Sequence, residues 1–366
     1  MEGSMYRAIN KEAKRIDAFE KVTGRARFAA DLNFTGQLYA QTVYSKFPHA
    51  RIITIDTEEA QVLPGVVEII TAADVPGSNV MFGRFPVLAA QEVKYIGDGV
   101  AVVAAESRAI ATEAAKLVRV KYEELPAVLS VEEALAANAP RVHEDAEGNL
   151  IEHAYHLLRV GDVEEGFARS EVVLERSYRT RFIDQAYIEP EAVIALPDPY
   201  RRGVEIHGSI QNPYSLRQNL AAVLSMKISA VKVVHSTIGG SFGGKDESVV
   251  QMAARVGILA LATGRPVKMV LTREESLLES SKRHPFNMHY RIGSDKDGTI
   301  KAVEARIYVQ GGAYNNKAQF TNWRGSIHAS GPYNIPHIKT DIYGVYTNTI
   351  YGGAMRGFSA PQILFA

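Results

Sequence analysis

The chain has 366 residues, of which 46% are hydrophobic and 22% are charged, so it is long enough for two or more domains with sizeable cores. Forty-one basic residues balance forty-one acidic ones, which argues against a large basic surface for nucleic acid. Because cysteine is absent, this chain cannot use thiolates to bind an iron–sulfur cluster, to form a disulfide or to attack a substrate.

The N-terminus and the apolar segments carry no membrane signal. No run approaches the roughly 18 uncharged residues that a membrane span needs, and the N-terminal segment lacks the apolar core of a secretory signal peptide. We therefore expect a cytoplasmic protein without membrane partners. Residues 1–20 are predicted to form an N-terminal extension that is poorly ordered over residues 1–10.

Residues 21–124 have the pattern of one α+β unit. The stretches QLYAQTVYS and VVEIIT have the composition of strands. The segment VKYIGDGVAVVAAE predicts two short strands joined at residues 97–99, because an Asp-Gly pair favours a turn. Ser107 precedes apolar residues at helical spacing, which predicts a helix that this serine caps.

Residues 125–150 contain two prolines and a polar, acidic stretch, so they are predicted to connect this unit to a second one over residues 151–366. In the second unit, Asp162 is predicted to cap a short helix whose first turn is acidic. Ser215, with Gln218 three residues later, predicts a capping box at the start of another helix.

The remaining elements of the second unit alternate between helix and strand patterns. AVKVVHST is predicted to be a strand, and ESVVQMAARVGILALATG a long apolar helix that ends at Gly264. The segment from His284 to Tyr314 predicts a β-hairpin with Asp297 and Gly298 in its turn.

A glycine-rich loop, TIGGSFGGKDE over residues 237–247, lies between a predicted strand and a predicted helix. It matches the P-loop pattern G-x-x-x-x-G-K, but Asp246 occupies the position where a Ser or Thr hydroxyl would bind magnesium. Phe242 also places a bulky ring inside the loop. A nucleotide-binding loop is therefore disfavoured. A tight turn whose glycines serve only the backbone remains the alternative.

Three further stretches accompany this loop: SIQNPYSLRQN, NWRGSIHASGPYNIPHI and YGGAMRGFSAPQ. Together with the loop they resemble the molybdenum-binding subunit of the xanthine dehydrogenase and aldehyde oxidase family. KVTGRARFAADL and YSKFPHARI resemble the hammerhead domain of that family, and QAYIEPEAV resembles a segment early in its molybdenum domain. The resemblance implies an α+β fold: an N-terminal hammerhead-type α+β domain over residues 21–124, then the first part of a mixed α/β molybdopterin-binding domain.

The resemblance also implies chemistry, cofactors and partners. Members of this family hydroxylate a carbon of a heteroaromatic ring or an aldehyde, with oxygen that comes from water. The expected cofactor is a molybdopterin-type molybdenum cofactor, either plain or as a dinucleotide. FAD and 2Fe–2S clusters are expected on partner chains, an FAD-binding subunit and an iron–sulfur subunit. The cofactor would carry the redox chemistry, while the protein positions and polarises the substrate.

Several residues match cofactor-binding positions of the family. Gln211 matches a glutamine that donates a hydrogen bond to the apical oxo group of molybdenum, and no side chain of this chain is expected to bind the metal directly. The other expected cofactor contacts are Gly240, Ser241, Phe242, Gly243 and Arg356. Glycines in such a loop allow close approach and can turn successive N–H groups toward an anionic ligand.

Three residues match substrate-binding positions. Arg324 matches a catalytic arginine of purine-oxidising members, where a guanidinium can stabilise negative charge on the ring, and aldehyde-oxidising relatives generally lack it. Phe358 matches a phenylalanine that packs on the substrate ring. Asp246 stands where a glutamate often contacts substrate, although Glu247 is adjacent and either carboxylate is a candidate. Each has a structural alternative, such as a salt bridge or an acid at a helix N-terminus.

The favoured hypothesis is therefore part of a molybdenum hydroxylase that oxidises a purine such as hypoxanthine or xanthine. One alternative is an aldehyde or other N-heterocycle oxidoreductase of the same family. Another is a catalytically inactive fragment or assembly module. The resemblance places the general-base glutamate of the family in a C-terminal half that this sequence lacks, so that half is an expected partner and the isolated chain is expected to be inactive.

Overall fold

A computed structural model describes residues 12–366, and the expectation of disorder over residues 1–10 lies outside this part of the chain. The strands are β1 (Leu38–Tyr44), β2 (Ala50–Asp56), β3 (Val66–Thr71), β4 (Val80–Met81), β5 (Phe85–Pro86), β6 (Glu92–Val93), β7 (Gly99–Ala105), β8 (Arg119–Glu124), β9 (Leu150–Val160), β10 (Val172–Arg179), β11 (Ala192–Asp198), β12 (Gly203–Gly208), β13 (Val231–His235), β14 (Val267–Val270), β15 (Lys282–Arg283), β16 (Phe286–Ser294), β17 (Ile300–Gly312), β18 (His337–Tyr346) and β19 (Gly352–Gly353). The helices are α1 (Ala18–Val22), α2 (Glu58–Gln61), α3 (Arg108–Leu117), α4 (Val131–Ala134), α5 (Val163–Ala168), α6 (Pro213–Val223), α7 (Ser248–Thr263), α8 (Arg273–Glu279), α9 (Ala318–His328) and α10 (Ala360–Ile363).

The largest sheet joins strands from residues 38–105 with strands from residues 192–270, in the order β13-β12-β11-β14-β1-β7-β3. β1 pairs with β14 in parallel, with Leu38 opposite Val267. Successive residues of β7 point to opposite faces. Val102 belongs to the core that contains α7, whereas Val103 packs in the smaller cluster with α3. Both faces of the sheet are therefore covered, which explains the uniformly apolar sequence of β7.

A second sheet, in the order β10-β16-β17-β18-β9, is built around the predicted hairpin. β16 and β17 pair antiparallel, and Gly298 adopts a φ of +89° in the turn between them, as the Asp-Gly pair predicts. Phe286, Ile307 and Ile342 form the core of this sheet. α9 packs against β9 and β18 of this sheet.

The structure confirms several helix boundaries that the sequence predicts. The Ser107 side chain accepts from the Ile110 amide at the start of α3, and Asp162 accepts from two amides at the start of α5. Gly264 ends α7 with a φ of +65°, the left-handed conformation that glycine adopts at little cost. These patterns act over a few neighbouring residues.

The predicted capping box at Ser215 is wrong. α6 begins at Pro213, and Asn212 caps it by accepting from the Ser215 amide at 3.3 Å. Proline is favoured at the first helical position because its φ is already helical and it has no N–H to satisfy. Asparagine is also a strong cap. Ser215 therefore lies within the first turn.

The two strands predicted around residues 97–99 do not form a hairpin. β6 pairs with β2, whereas β7 pairs with β1 and β3. Asp98 is completely buried and accepts from the Tyr314 hydroxyl at 2.5 Å and the Lys94 amide at 3.1 Å. The Asp-Gly pair therefore forms a buried junction, which only the distant Tyr314 explains.

The predicted division into residues 21–124, 125–150 and 151–366 remains a proposal. The large sheet crosses it, because β1, β3 and β7 precede the connector and the other strands of that sheet follow it. No helix within residues 12–366 is both long and apolar enough to cross a membrane.

Candidate cofactor and substrate site

The glycine loop connects β13 to α7, and its conformation requires glycine at two positions. Gly240 and Gly243 have φ values of +105° and +108°. A Cβ at Gly243 would lie 2.2 Å from the carbonyl oxygen of Ala354. The loop is thus pressed against the segment YGGAMRGF near the end of the chain, which brings two of the predicted motifs together.

Hydrogen bonds between the two segments hold this contact in place. The Arg356 amide donates to the Phe242 carbonyl at 2.9 Å, and the Arg283 guanidinium donates to the Arg356 carbonyl at 3.0 Å. The Phe242 side chain is 49% exposed, and its φ of +53° is unusual for a residue with a side chain. Phe242 and Arg356 therefore present exposed side chains from adjoining backbones.

Gln211 lies directly before the cap of α6 and contacts the glycine loop. Its amide donates to the Lys245 carbonyl at 2.9 Å. Its side-chain oxygen accepts from the Gly243 amide at 3.0 Å and from the Ser241 hydroxyl. Within residues 12–366 the side-chain nitrogen Nε2 has no acceptor, so the amide is oriented with its N–H groups available for a ligand.

Arg324 and Phe358 form a second pair. The Arg324 guanidinium carbon lies 4.3 Å from the centre of the Phe358 ring. Phe320, one turn earlier on α9, packs against Phe358 with ring centres 5.4 Å apart and stacks on Trp323 at 5.7 Å. A cation above an aromatic face is stabilised by the ring quadrupole. The guanidinium therefore lies over one face of the Phe358 ring, and the pair combines an aromatic ring with a positive charge.

The two adjacent carboxylates at the start of α7 have different surroundings. Asp246 is 7% exposed and forms an ion pair with Lys317, the residue before α9. Glu247 is 1% exposed, and neither of its carboxyl oxygens has a hydrogen-bond partner within residues 12–366. Burial raises the pKa of Glu247 to about 8, so this group is largely protonated at neutral pH. Asp246 therefore carries the charge, and Lys317 compensates it.

Two charged residues near the loop, the buried Lys245 and the partly buried Glu189, were not predicted as functional. Lys245, which would reach phosphate in a P-loop, is completely buried and pairs with Glu189 at 2.7 Å. Because its ammonium group points into the protein, the loop has no lysine available for a nucleotide. Glu189 lies within QAYIEPEAV, so the resemblance marked the segment, but no local pattern indicated its partner.

The residues of this site fit an anionic, oxo-bearing cofactor. The exposed side-chain amide of Gln211 suits an oxo acceptor, and the exposed Arg356 adds a positive charge that suits an anionic group. Gln211, the loop residues 240–243 and Arg356 would hold the cofactor. Within residues 12–366 there is no cluster of His, Asp and Glu side chains suited to binding a metal ion directly.

Ser359 is strained, and replacing it tests the loop geometry. It is buried with a φ of +64°, a conformation that costs a residue with a Cβ about 1–3 kcal/mol. We expect Ser359→Gly to raise the free energy of unfolding by about 1 kcal/mol, because glycine relieves this strain but makes the unfolded chain more flexible. Urea unfolding measures the change. The control Ser326→Gly, inside α9, should destabilise the protein, and the same loss at Ser359 would contradict the prediction.

Comparisons with known proteins agree with this architecture. The family described as molybdopterin cofactor-binding domain matches residues 142–366, and the aldehyde oxidase and xanthine dehydrogenase a/b hammerhead domain matches residues 23–126. The chain is 36% identical to the nicotinate dehydrogenase large molybdopterin subunit of Eubacterium barkeri, over 98% of this chain and 84% of that protein. It is 39% identical to a probable xanthine dehydrogenase subunit of Bacillus subtilis, over 98% of this chain and 48% of that protein.

Solved structures show the same fold. The aldehyde oxidoreductase of Desulfovibrio gigas superimposes with a TM-score of 0.90 at 31% identity, over 96% of this chain and 40% of that chain. The quinoline 2-oxidoreductase of Pseudomonas putida 86 superimposes with a TM-score of 0.88 at 29% identity, over 95% of this chain and 45% of that chain. The chain thus spans less than half of these structures. The predicted α+β fold is confirmed, and the chain belongs to the xanthine dehydrogenase and aldehyde oxidase family of molybdopterin-binding oxidoreductases.

Proposed function

We propose that this chain forms part of the active site of a molybdenum hydroxylase that acts on an N-heterocycle, with a purine such as hypoxanthine or xanthine as the first candidate. The observation that carries the proposal is the Arg324–Phe358 pair, a cation over one face of an aromatic ring. A planar ring can stack against Phe358 while the guanidinium stabilises negative charge that develops on the ring. An aliphatic aldehyde offers no such ring, and an aromatic aldehyde has no ring nitrogen to take up negative charge, so the aldehyde alternative is less well supported.

The residues of the chain have separate roles in this proposal. Gln211 and the loop residues Gly240, Ser241, Phe242 and Gly243 hold the cofactor, together with Arg356. Phe358 orients the substrate ring, and Arg324 stabilises its charge. The cofactor, when bound, supplies the oxygen transfer and takes up the electrons. We further propose that the electrons leave through FAD-binding and iron–sulfur partner subunits in the cytoplasm.

A second candidate is a heteroaromatic ring that carries a carboxylate. Lys317 compensates the charge of Asp246, so Arg324 remains as a cation that can pair with an anionic substituent. Among the relatives compared above, this chain covers the largest share of the nicotinate dehydrogenase subunit, 84% of its length. A pyridine carboxylate therefore fits the charge of the site, whereas an uncompensated Asp246 would repel it.

The test is a substrate panel on the protein purified together with its native partner subunits. Rates with xanthine, hypoxanthine, nicotinate and benzaldehyde are measured alongside the molybdenum content of the complex. We expect Arg324→Met to lower kcat/KM for the preferred heterocycle by about 10²–10³-fold, since charge stabilisation by one donor is typically worth that much. The molybdenum content should stay unchanged.

The control is Arg176→Met, which removes an exposed arginine of β10 whose guanidinium bonds a neighbouring carbonyl. It should leave all rates as in the unmodified complex. Turnover of benzaldehyde but of no heterocycle would contradict the proposal. Absence of molybdenum from a complex with all its subunits would favour the inactive-module alternative.

A further inference from the structure

We propose that Glu189 is a positioning residue: its carboxylate is the anion around which the glycine loop folds, and it sets the position of Gln211. Its Oε2 atom accepts three hydrogen bonds: from the Gly239 amide at 2.6 Å, from Lys245 Nζ at 2.7 Å and from the Ser209 hydroxyl at 2.9 Å. Gly239 begins and Lys245 ends the stretch that matches the P-loop pattern. One carboxylate oxygen therefore bonds both ends of this stretch.

This arrangement resembles the binding of a phosphate by a P-loop, with the anion supplied by the chain itself. In a P-loop, backbone N–H groups and a lysine surround a phosphate of the ligand. Here a backbone N–H and Lys245 surround the carboxylate of Glu189. The near-match to the P-loop pattern therefore has a physical reason, because in both loops a lysine and the backbone donate hydrogen bonds to an anion.

The buried position of the Lys245 side chain depends on the Glu189 carboxylate. Its side chain is completely buried, and Nζ also donates to the Ser209 hydroxyl at 3.1 Å and lies 4.7 Å from the centre of the Tyr187 ring. The desolvation of a buried ammonium group is compensated only when a carboxylate and hydrogen-bond acceptors surround it. Without the charge of Glu189, we expect the lysine to turn toward solvent and release the end of the loop.

The backbone of Lys245 connects the Glu189–Lys245 ion pair to the residues proposed to bind the cofactor. Its carbonyl accepts from the Gln211 amide at 2.9 Å, and its amide donates to the Ser241 hydroxyl at 3.2 Å. Ser241 in turn donates to the side-chain oxygen of Gln211. A shift of Lys245 would therefore move Ser241, one of the two groups that orient the Gln211 side-chain amide, and also the Gln211 backbone. Glu189 itself does not contact the exposed side of the loop, so it acts through Lys245 and Gly239.

The placement of Glu189 is specific among the carboxylates of this region. Glu191, two residues later, accepts from the Tyr187 hydroxyl instead. Gly239 has no room for a side chain, since a Cβ there would lie 2.5 Å from the Cβ of Glu189. The carboxylate and the loop are therefore in direct contact. The inference rests on the proposed function only in assigning the loop to the cofactor.

The experiment compares Glu189→Gln with the unmodified complex, using two measurements that do not depend on turnover. Glutamine keeps the size of the side chain but removes the charge that pairs with Lys245. We expect the rate of amide hydrogen exchange over residues 239–244 to rise at least tenfold in the variant. We also expect Lys245, protected from acetic anhydride in the unmodified complex, to become acetylated, as mass spectrometry of its peptide would show.

Lys245→Gln provides a second variant, because it removes the other charge of the same pair and should raise exchange over the same residues. In the double variant a neutral hydrogen bond can replace the ion pair, so exchange should fall back toward that of the unmodified complex. Glu175→Gln is the control and should change neither measurement, because this exposed carboxylate of β10 contacts His289 of β16, far from the loop in sequence.

In the complex, molybdenum content should fall for Glu189→Gln and recover in the double variant. Unchanged exchange over residues 239–244 in both folded single variants would overturn the proposal. A uniform rise in exchange over the whole chain, without a larger effect in the loop, would overturn it as well. Faster amide exchange over residues 239–244 of the variants, in a complex that oxidises no heterocycle, would support the role of Glu189 while contradicting the proposed function.

Discussion

Arg255→Leu is expected to lower the free energy of unfolding by about 3–5 kcal/mol, because it leaves a buried carboxylate without its partner. Arg255 on α7 and Glu279 at the end of α8 are both completely buried and form an ion pair. The guanidinium also donates to the Val87 carbonyl at 3.0 Å, and the Tyr44 hydroxyl donates to Glu279 at 2.5 Å. Urea unfolding of the variant measures the loss.

Two controls separate the buried charge from the lost packing. The double variant Arg255→Leu, Glu279→Leu removes both charges and should regain a substantial part of the lost stability, since an apolar pair needs no compensation. Arg119→Leu removes an exposed arginine that pairs with Glu59 and should cost at most about 1 kcal/mol. If Arg255→Leu also costs at most about 1 kcal/mol, the buried pair of Arg255 and Glu279 contributes little to stability.

Glu247→Gln is expected to stabilise the protein at alkaline pH but not at acidic pH. Burial raises the pKa of Glu247 from 4.5 to about 8. Below pH 4.5 the carboxyl group is protonated in both the folded and the unfolded chain. Between about pH 4.5 and 8 the unfolded chain releases this proton whereas the folded chain retains it, so folding stability falls as pH rises through this window.

Glutamine does not titrate, so the difference between the variant and the unmodified protein isolates this group. The free energy of unfolding of the variant, relative to that of the unmodified protein, should rise from pH 5 to pH 8 by up to roughly 4 kcal/mol. Urea unfolding at each pH provides the comparison. Glu147→Gln, at an exposed position, should show a flat difference. A flat difference for Glu247→Gln would mean that the carboxyl group ionises freely in the folded chain.

Much of the fold could be predicted because its signals are local. Ser107, Asp162 and Gly264 act on groups within a few residues, and the hairpin turn at Gly298 depends on one dipeptide. Such patterns retain their meaning whatever the rest of the chain does. The error at Ser215 arose from competition between adjacent local signals, in which Asn212 and Pro213 prevailed.

The family was also predictable from the sequence, since its motifs occur in order along nearly the whole chain. The expectation that Gln211, the glycine loop and Arg356 lie together rested on that resemblance, and the structure brings them into contact through the Gln211 side chain and the Arg356 amide. Their roles toward the cofactor remain proposals. The pairing of Arg324 with Phe358 was not predicted, although both were substrate candidates.

Properties that depend on burial and on distant partners required the three-dimensional structure. Sequence could not distinguish Asp246 from Glu247, because Lys317 pairs with Asp246 alone, whereas burial raises the pKa of Glu247 to about 8. It also could not show that Lys245 points inward, because Glu189, its partner, lies on another segment. Local patterns determine where elements begin and end, whereas the charge and direction of a side chain depend on which remote segments exclude water from it.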